Sequence, residues 1–195
     1  MIYKCYLKIK SRFIYNFLYL NIIADPTKQD YVDLIDYKNL FMQNYSRRFF
    51  SKKNRDELKQ IYWDKYYSKM TPEIVEKNLK VKIISDERFK KVDDFVKFSK
   101  YENILEMSCG FAGTTISIKK KYPHKNYFIC DSPSSLITLL KTTKFYDDIN
   151  LFQKSFYDNY DHLTKNNVDL VIIENSVFLF EIKPFIKFLQ KIKKE

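Results

Sequence analysis

The chain has 195 residues, about one ordinary domain's worth, of which 45% are apolar, 30% charged and 17% aromatic. That balance excludes a wholly disordered chain, and the 2 glycines and 5 prolines exclude collagen-like and Gly/Ser-linker architectures. The net charge of +11 is uneven, because residues 1–100 hold 22 Lys/Arg against 13 Asp/Glu. Such a first half suits phosphates, a membrane surface or an acidic polymer, and it equally suits a solvated lysine-rich surface.

Residues 1–24 read as a helix ended by Asp25-Pro26. Its apolar stretch, FIYNFLYLNIIA, follows Lys4, Lys8, Lys10 and Arg12, the order of a signal peptide's basic and apolar regions. Asn16 and Asn21 interrupt it, no small-x-small cleavage site follows, and no run in the chain reaches the roughly 18–20 apolar residues that span a bilayer. The expectation is a buried or interfacial amphipathic helix, with peripheral membrane contact through residues 1–24. Cys5, Cys109 and Cys130 lack metal or disulfide spacing and read as reduced thiols of a cytoplasmic protein, in which the membrane contact would be to the inner face.

Residues 30–45 carry a loose helical pattern in Val32, Leu34, Ile35, Leu40, Phe41 and Met42. In SRRFFSKKNRDELKQ (46–60), Arg47, Arg48, Lys52, Lys53 and Arg55 flank Phe49 and Phe50. Basic residues around aromatics suit nucleic acid, but no nucleic-acid motif accompanies them, so a solvated helix end is preferred and nucleic acid is not expected as a partner. Thr71-Pro72-Glu73 starts a helix, with Thr as N-cap and Pro at the first position. Ser85-Asp86-Glu87 opens another through about Ser99, expected to bury Phe89, Val92, Phe95 and Val96. These segments form a helical N-terminal region, 1–85, before a second domain, 86–195.

From residue 102 strands alternate with helices. ENILEM (102–107), NYFICD (126–131), INLFQK (149–154) and VDLVIIE (168–174) read as strands, the last apolar enough for burial on both faces. Thr114 to Tyr122, Ser132-Pro133 to about Phe145, and Glu181 to Lys193 read as helices, the last with Ile182, Phe185, Ile186, Leu189 and Ile192 on one side. The alternation predicts an α/β fold, a doubly wound Rossmann-like parallel sheet of about four strands.

Both glycines, Gly110 and Gly113, fall in one turn, LEMSCGFAGTT, between a strand and a helix, where average usage would give about fourteen in the whole chain. Glycine there permits positive φ and close backbone approach, and the helix N-terminus is expected to offer free N–H groups. Asp131 ends the next strand about 20 residues on, the place for an acid that accepts hydrogen bonds from a ribose diol. Glycine loop, strand and terminal acid together predict a nucleotide-type site, and the sequence lacks the G-x-G-x-x-G of dehydrogenases.

ILEMSCGFAGTTISIKKKYP followed by YFICDSPSSLITLL resembles motifs I and II of class I S-adenosylmethionine (SAM)-dependent methyltransferases, over about residues 60–195. The resemblance implies SAM as cofactor, Glu106 near its methionine part, the loop residues Ser108, Gly110 and Gly113 around it, Asp131 and Ser132 at the ribose, and Ser155 or Phe156 beside the adenine. VDLVIIENSVFLFE resembles the fourth strand and the loop facing donor and acceptor. The GFAG loop, the CDSP turn and ENSVFLFEI further resemble bacterial sugar O-methyltransferases linked to surface polysaccharides, which implies a glycan or sugar-nucleotide acceptor. Ser108 and Ala112 stand where the family has glycines. A sugar hydroxyl needs a general base, for which Glu174 is preferred and His162 second; Asp161 and Glu181 are further candidates, and His124 falls at the opposite end of the sheet. No metal cluster is visible, so metal-independent transfer is expected.

The family's sheet has seven strands, and four are counted here. An apolar fourth strand at the edge is an aggregation liability, and three explanations are carried: a natural truncation or half of a split gene, a protein partner or second copy that covers the edge, or the N-terminal half folded over it. The other implied reading is a short, non-catalytic methyltransferase-like subunit that serves as a binding or assembly module.

Overall fold

The computed structural model describes residues 2–28, 52–154 and 165–174, with Ile186, Lys187 and Gln190 beyond them. The expected helix at 30–45, the basic pair Arg47 and Arg48, and most of the last helix lie outside the described residues. The chain divides into two compact units, Met1–Lys69 and Met70–Glu195, so the division falls before the expected 85/86 boundary.

In the first unit, α1 (Ile2–Ala24) pairs with α2 (Lys52–Ser68). Leu18 and Ile22 of α1, one turn apart, close on Leu58 and Tyr62 of α2, and Tyr15, Ile61, Trp63 and Tyr66 pack around them. Pro26 cannot continue α1, and the Asp25 carboxylate fixes the stop by accepting from the Thr27 hydroxyl at 2.6 Å and the Thr27 N–H at 3.3 Å. No helix among the described residues is long and apolar enough to cross a membrane.

The second unit opens with α3 (Pro72–Lys82), which starts at the expected Thr71-Pro72 and buries Val75 and Leu79. This helix packs against the α/β part, which moves the unit boundary ahead of it. Ser85 precedes α4 (Asp86–Val96), which ends at Lys97 in the left-handed conformation (φ 59°), ahead of the expected Ser99. Phe95 is 89% exposed, contrary to expectation. At 100° per residue it points away from Phe89, whereas Asp93 shares the inner face. Phe98, in a short 3-10 turn after the helix, supplies the missing ring by stacking on Phe89 at 5.7 Å. Asp93 itself ties the corner together: it accepts from the Phe98 N–H at 3.0 Å, Lys121 Nζ at 2.7 Å and the Tyr122 hydroxyl at 2.7 Å. Burial works to raise the Asp93 carboxyl, but these bonds outweigh it and hold the group below its ordinary value.

The sheet has four parallel strands in the order β3-β2-β1-β4. They are β1 (Asn103–Met107), β2 (Asn126–Asp131), β3 (Asn150–Gln153) and β4 (Leu170–Ile173). β1 is central, with Leu105 beside both Phe128 and Val171, and its last four residues are buried. The Asp169 carboxylate fastens its start by accepting the N–H groups of Glu102 at 2.8 Å and Asn103 at 3.0 Å. Leu105, Met107 and Cys130 form the core of one face, with Phe128, Phe152, Val168, Val171 and Ile173 packed on it. β4, expected to be buried on both faces, is half-buried throughout, because among the described strands it has a neighbour on one side.

Between the strands run α5 (Gly113–Lys121) and α6 (Ser134–Lys141). α6 stops ahead of the expected Phe145, because Thr142 and Thr143 turn their hydroxyls back onto the Leu139 carbonyl, at 2.8 and 3.0 Å. A 3-10 turn, Lys144–Tyr146, then buries Tyr146. Ile186, on the apolar side of the expected last helix, is exposed. Parallel strands joined by helices, with the strand order reversing beside β1, make this an α/β, Rossmann-like fold.

Candidate functional site

The carboxyl ends of β1 and β4 adjoin where the strand order reverses, and the loop from β1 to α5 leaves from there. In doubly wound sheets this crevice is where ligands bind. The loop places Ser108 (φ 53°), Gly110 (φ 51°) and Ala112 (φ 48°) in the left-handed region. Gly110 adopts it freely, whereas each of the other two bears a cost on the order of 1 kcal/mol. Ser108 and Ala112 are the positions at which the resembled family carries glycine, and they keep the backbone shape that glycine favours. Gly113 is instead the first residue of α5, and its carbonyl accepts from the Ser117 hydroxyl at 2.6 Å.

Three carboxylates hold this loop and the start of α5. Asp131, at the end of β2, accepts the Gly110 N–H on Oδ2 at 2.9 Å and the Ser132 N–H on Oδ1 at 2.8 Å. Each oxygen keeps lone-pair capacity for a further donor, as a diol would require. Burial raises its pKa against those two bonds. Glu106, on β1 and 2% exposed, accepts both the Thr115 N–H at 2.9 Å and the Thr115 hydroxyl at 2.6 Å on Oε2. Its pKa is pushed up to about 7 by burial and by the charges of Glu174 and Asp131, against the two Thr115 bonds. Glu174 follows β4 and accepts the Thr114 hydroxyl at the start of α5.

Of the N–H groups expected to be free at the α5 N-terminus, that of Thr115 is taken by Glu106. Ala112 at the N-cap position has no side chain to cap with, so Glu106 reaches across from β1 to do it. With protein carboxylates already on the Thr115 and Gly110 N–H groups, a phosphate would meet negative charge here. A ligand that brings a cation would meet attraction.

Sequence reasoning missed three contributors. Thr114 and Thr115 anchor Glu174 and Glu106, and the pair of threonines directly after Gly113 was the signal for them. Tyr146 donates its buried hydroxyl to the Phe111 carbonyl at 2.7 Å and so pins the loop from α6's side, a contact that no local pattern announces. Cys109 lies inside the loop, its N–H on the Cys130 carbonyl at 3.2 Å. Burial and then the charges of Asp131 and Glu106 push its thiol well up, so it stays protonated and is a packing group, not a nucleophile. Cys109 and Cys130 are both buried free cysteines.

Of the expected site residues, the fold brings together Glu106, Ser108, Gly110, Gly113, Asp131, Ser132 and Glu174. His162, Ser155, Phe156, Asp161 and Glu181 lie outside the described residues. His124 sits exposed in the turn before β2, at the opposite end of the sheet, as expected. Among the described residues no group of three or more His, Cys, Asp or Glu side chains is placed to hold a metal ion. Comparison of the chain with protein-family models, with curated proteins and with solved structures gives no match.

Proposed function

We propose that the chain binds SAM at the carboxyl edge of this sheet and methylates a hydroxyl, for which a sugar of a surface glycan is the favoured acceptor. The observation that carries the reading is the gathering of Glu106, Asp131 and Glu174 around one loop and the first turn of α5, with the loop's own glycine N–H bonded to Asp131. The residues suit a nucleoside that bears a cation. Asp131 has lone pairs for a ribose diol, and a positive group beside Glu106 would favour its charged form. The sugar acceptor rests on the short resemblance of the GFAG, CDSP and ENSVFLFEI segments alone.

When bound, SAM supplies an electrophilic methyl group on a positively charged sulfur. Transfer of that methyl group to an acceptor hydroxyl would break its bond to sulfur and release one proton. The hydroxyl proton goes to a carboxylate, and Glu174, exposed at the end of β4, is the proposed base.

The test is calorimetric titration of the full chain with SAM, S-adenosylhomocysteine and ADP. Saturable SAM binding, weaker ADP binding and an at least roughly tenfold weaker SAM affinity in Asp131→Ala are expected. A folded chain that ignores SAM, or an unchanged affinity in Asp131→Ala, overturns the reading. Glu174→Gln should keep SAM binding and lose turnover.

The half-buried apolar β4, at the edge of the described sheet, favours a second reading, a binding or assembly module covered there by a partner or a second copy. A stable complex formed by a chain that does not bind SAM would select it.

A further inference from the structure

Helix α1 has two apolar stripes. Leu18 and Ile22 are buried in its pairing with α2. Phe13, Phe17 and Leu20, spaced i, i+4, i+7, form the other and are 72%, 56% and 64% exposed. At 100° per residue this second stripe lies on the opposite side of the helix from the first, and the exposed Ile23 widens it. The three central side chains leave roughly 400 Å² of apolar surface open, a size at which an exposed patch usually serves binding.

The charge that the helix carries says what the stripe binds. Lys4, Lys8, Lys10 and Arg12 all precede Phe13 in α1, and the helix contains no Asp or Glu. A second copy of this helix would bring further cations and no counter-charge. A bilayer with anionic headgroups supplies both an apolar layer for the rings and phosphates for the cations. Since α1 is not long and apolar enough to cross a membrane, it would lie along the surface.

We propose that α1 docks on an anionic lipid surface, with Phe13, Phe17 and Leu20 in the acyl boundary, drawn there by the net positive charge of the helix. The proposal is independent of what the sheet binds.

The test is co-sedimentation of the full chain with phosphatidylcholine vesicles, with and without phosphatidylglycerol, at low and high salt. Binding is expected to need phosphatidylglycerol and to weaken with salt. A Phe13→Ser/Phe17→Ser/Leu20→Ser variant, whose far-UV spectrum should be unchanged, is expected to lose at least about tenfold in vesicle affinity. Should that variant misfold, Phe13→Trp is read instead, and its fluorescence should shift to the blue on anionic vesicles. Equal binding to both vesicle types, no binding to either, or full binding by the folded serine variant overturns the proposal. So does a dimer in solution that the serine variant abolishes, which would assign the stripe to a second copy.

Discussion

Replacing Glu106 by Gln should flatten the pH dependence of stability in the α/β unit. Burial raises this carboxyl from 4.5 to about 7 in the folded chain. A raised carboxyl contributes stability that is fully present below its unfolded pKa and is lost as pH rises through the folded one. At ~1.36 kcal/mol per pH unit, the window from 4.5 to about 7 amounts to about 3 kcal/mol. Gln keeps an oxygen for the two Thr115 bonds but has no charge to desolvate. The assay is a series of urea midpoints between pH 4.5 and 8.5, read by deuterium exchange in peptides from β1 and α5. The sole tryptophan, Trp63, lies in the other unit and reports that unit instead. The stability difference between variant and parent should grow by about 3 kcal/mol in the variant's favour across the window. Profiles that stay parallel to within about 1 kcal/mol would refute the account of Glu106 as a desolvated acid.

Other outcomes follow from the same contacts. Ser108→Gly should raise stability by up to about 1 kcal/mol in thermal unfolding, because it relieves a left-handed serine at φ 53°. Ala112→Gly should be close to neutral, since the same relief is offset by losing a fully buried methyl worth about 0.8 kcal/mol; a large gain there would contradict the packing described. Asp93→Ala should cost about 2–3 kcal/mol in urea, as it strands the Phe98 N–H and the Tyr122 hydroxyl. The parent should lose Asp93's contribution in acid, as pH falls through its lowered pKa, and the variant should lack that component. Tyr146→Phe should cost about 1 kcal/mol by removing its hydrogen bond to the Phe111 carbonyl, and should speed amide exchange in the 108–113 loop.

The sheet was legible because its strands are short apolar runs between turn residues, and the observed β2 coincides with NYFICD. Helix ends were less so. Phe95 was expected in the core on helical spacing, while the fold turned Asp93 inward for one local hydrogen bond and two formed across the chain. Thr142 and Thr143 ended α6 through hydroxyl bonds that a count of apolar residues does not register. In the loop, scarce glycine marked the place but hid the shape, since Ser108 and Ala112 adopt left-handed backbone that their side chains disfavour. Glu106 and Asp131 were identifiable as acids near a turn. Their bonds to Thr115 and Gly110 join residues on different elements, which local pattern cannot foretell.

The carboxylate that reaches from β1 to α5 also proofreads the pairing of the sheet. Side chains alternate along a strand, so Glu106 faces away from Leu105 and Met107. Sliding β1 by one residue against its neighbours would thrust this acid among Phe128, Cys130 and Val171 and leave Thr115 without its acceptor. A mispaired chain would bury an unsolvated charge and lose the loop in the same step. Incorrect pairings are thereby disfavoured at the place where the ligand is proposed to bind, and a chain competent to bind is one whose strands have met in the right order.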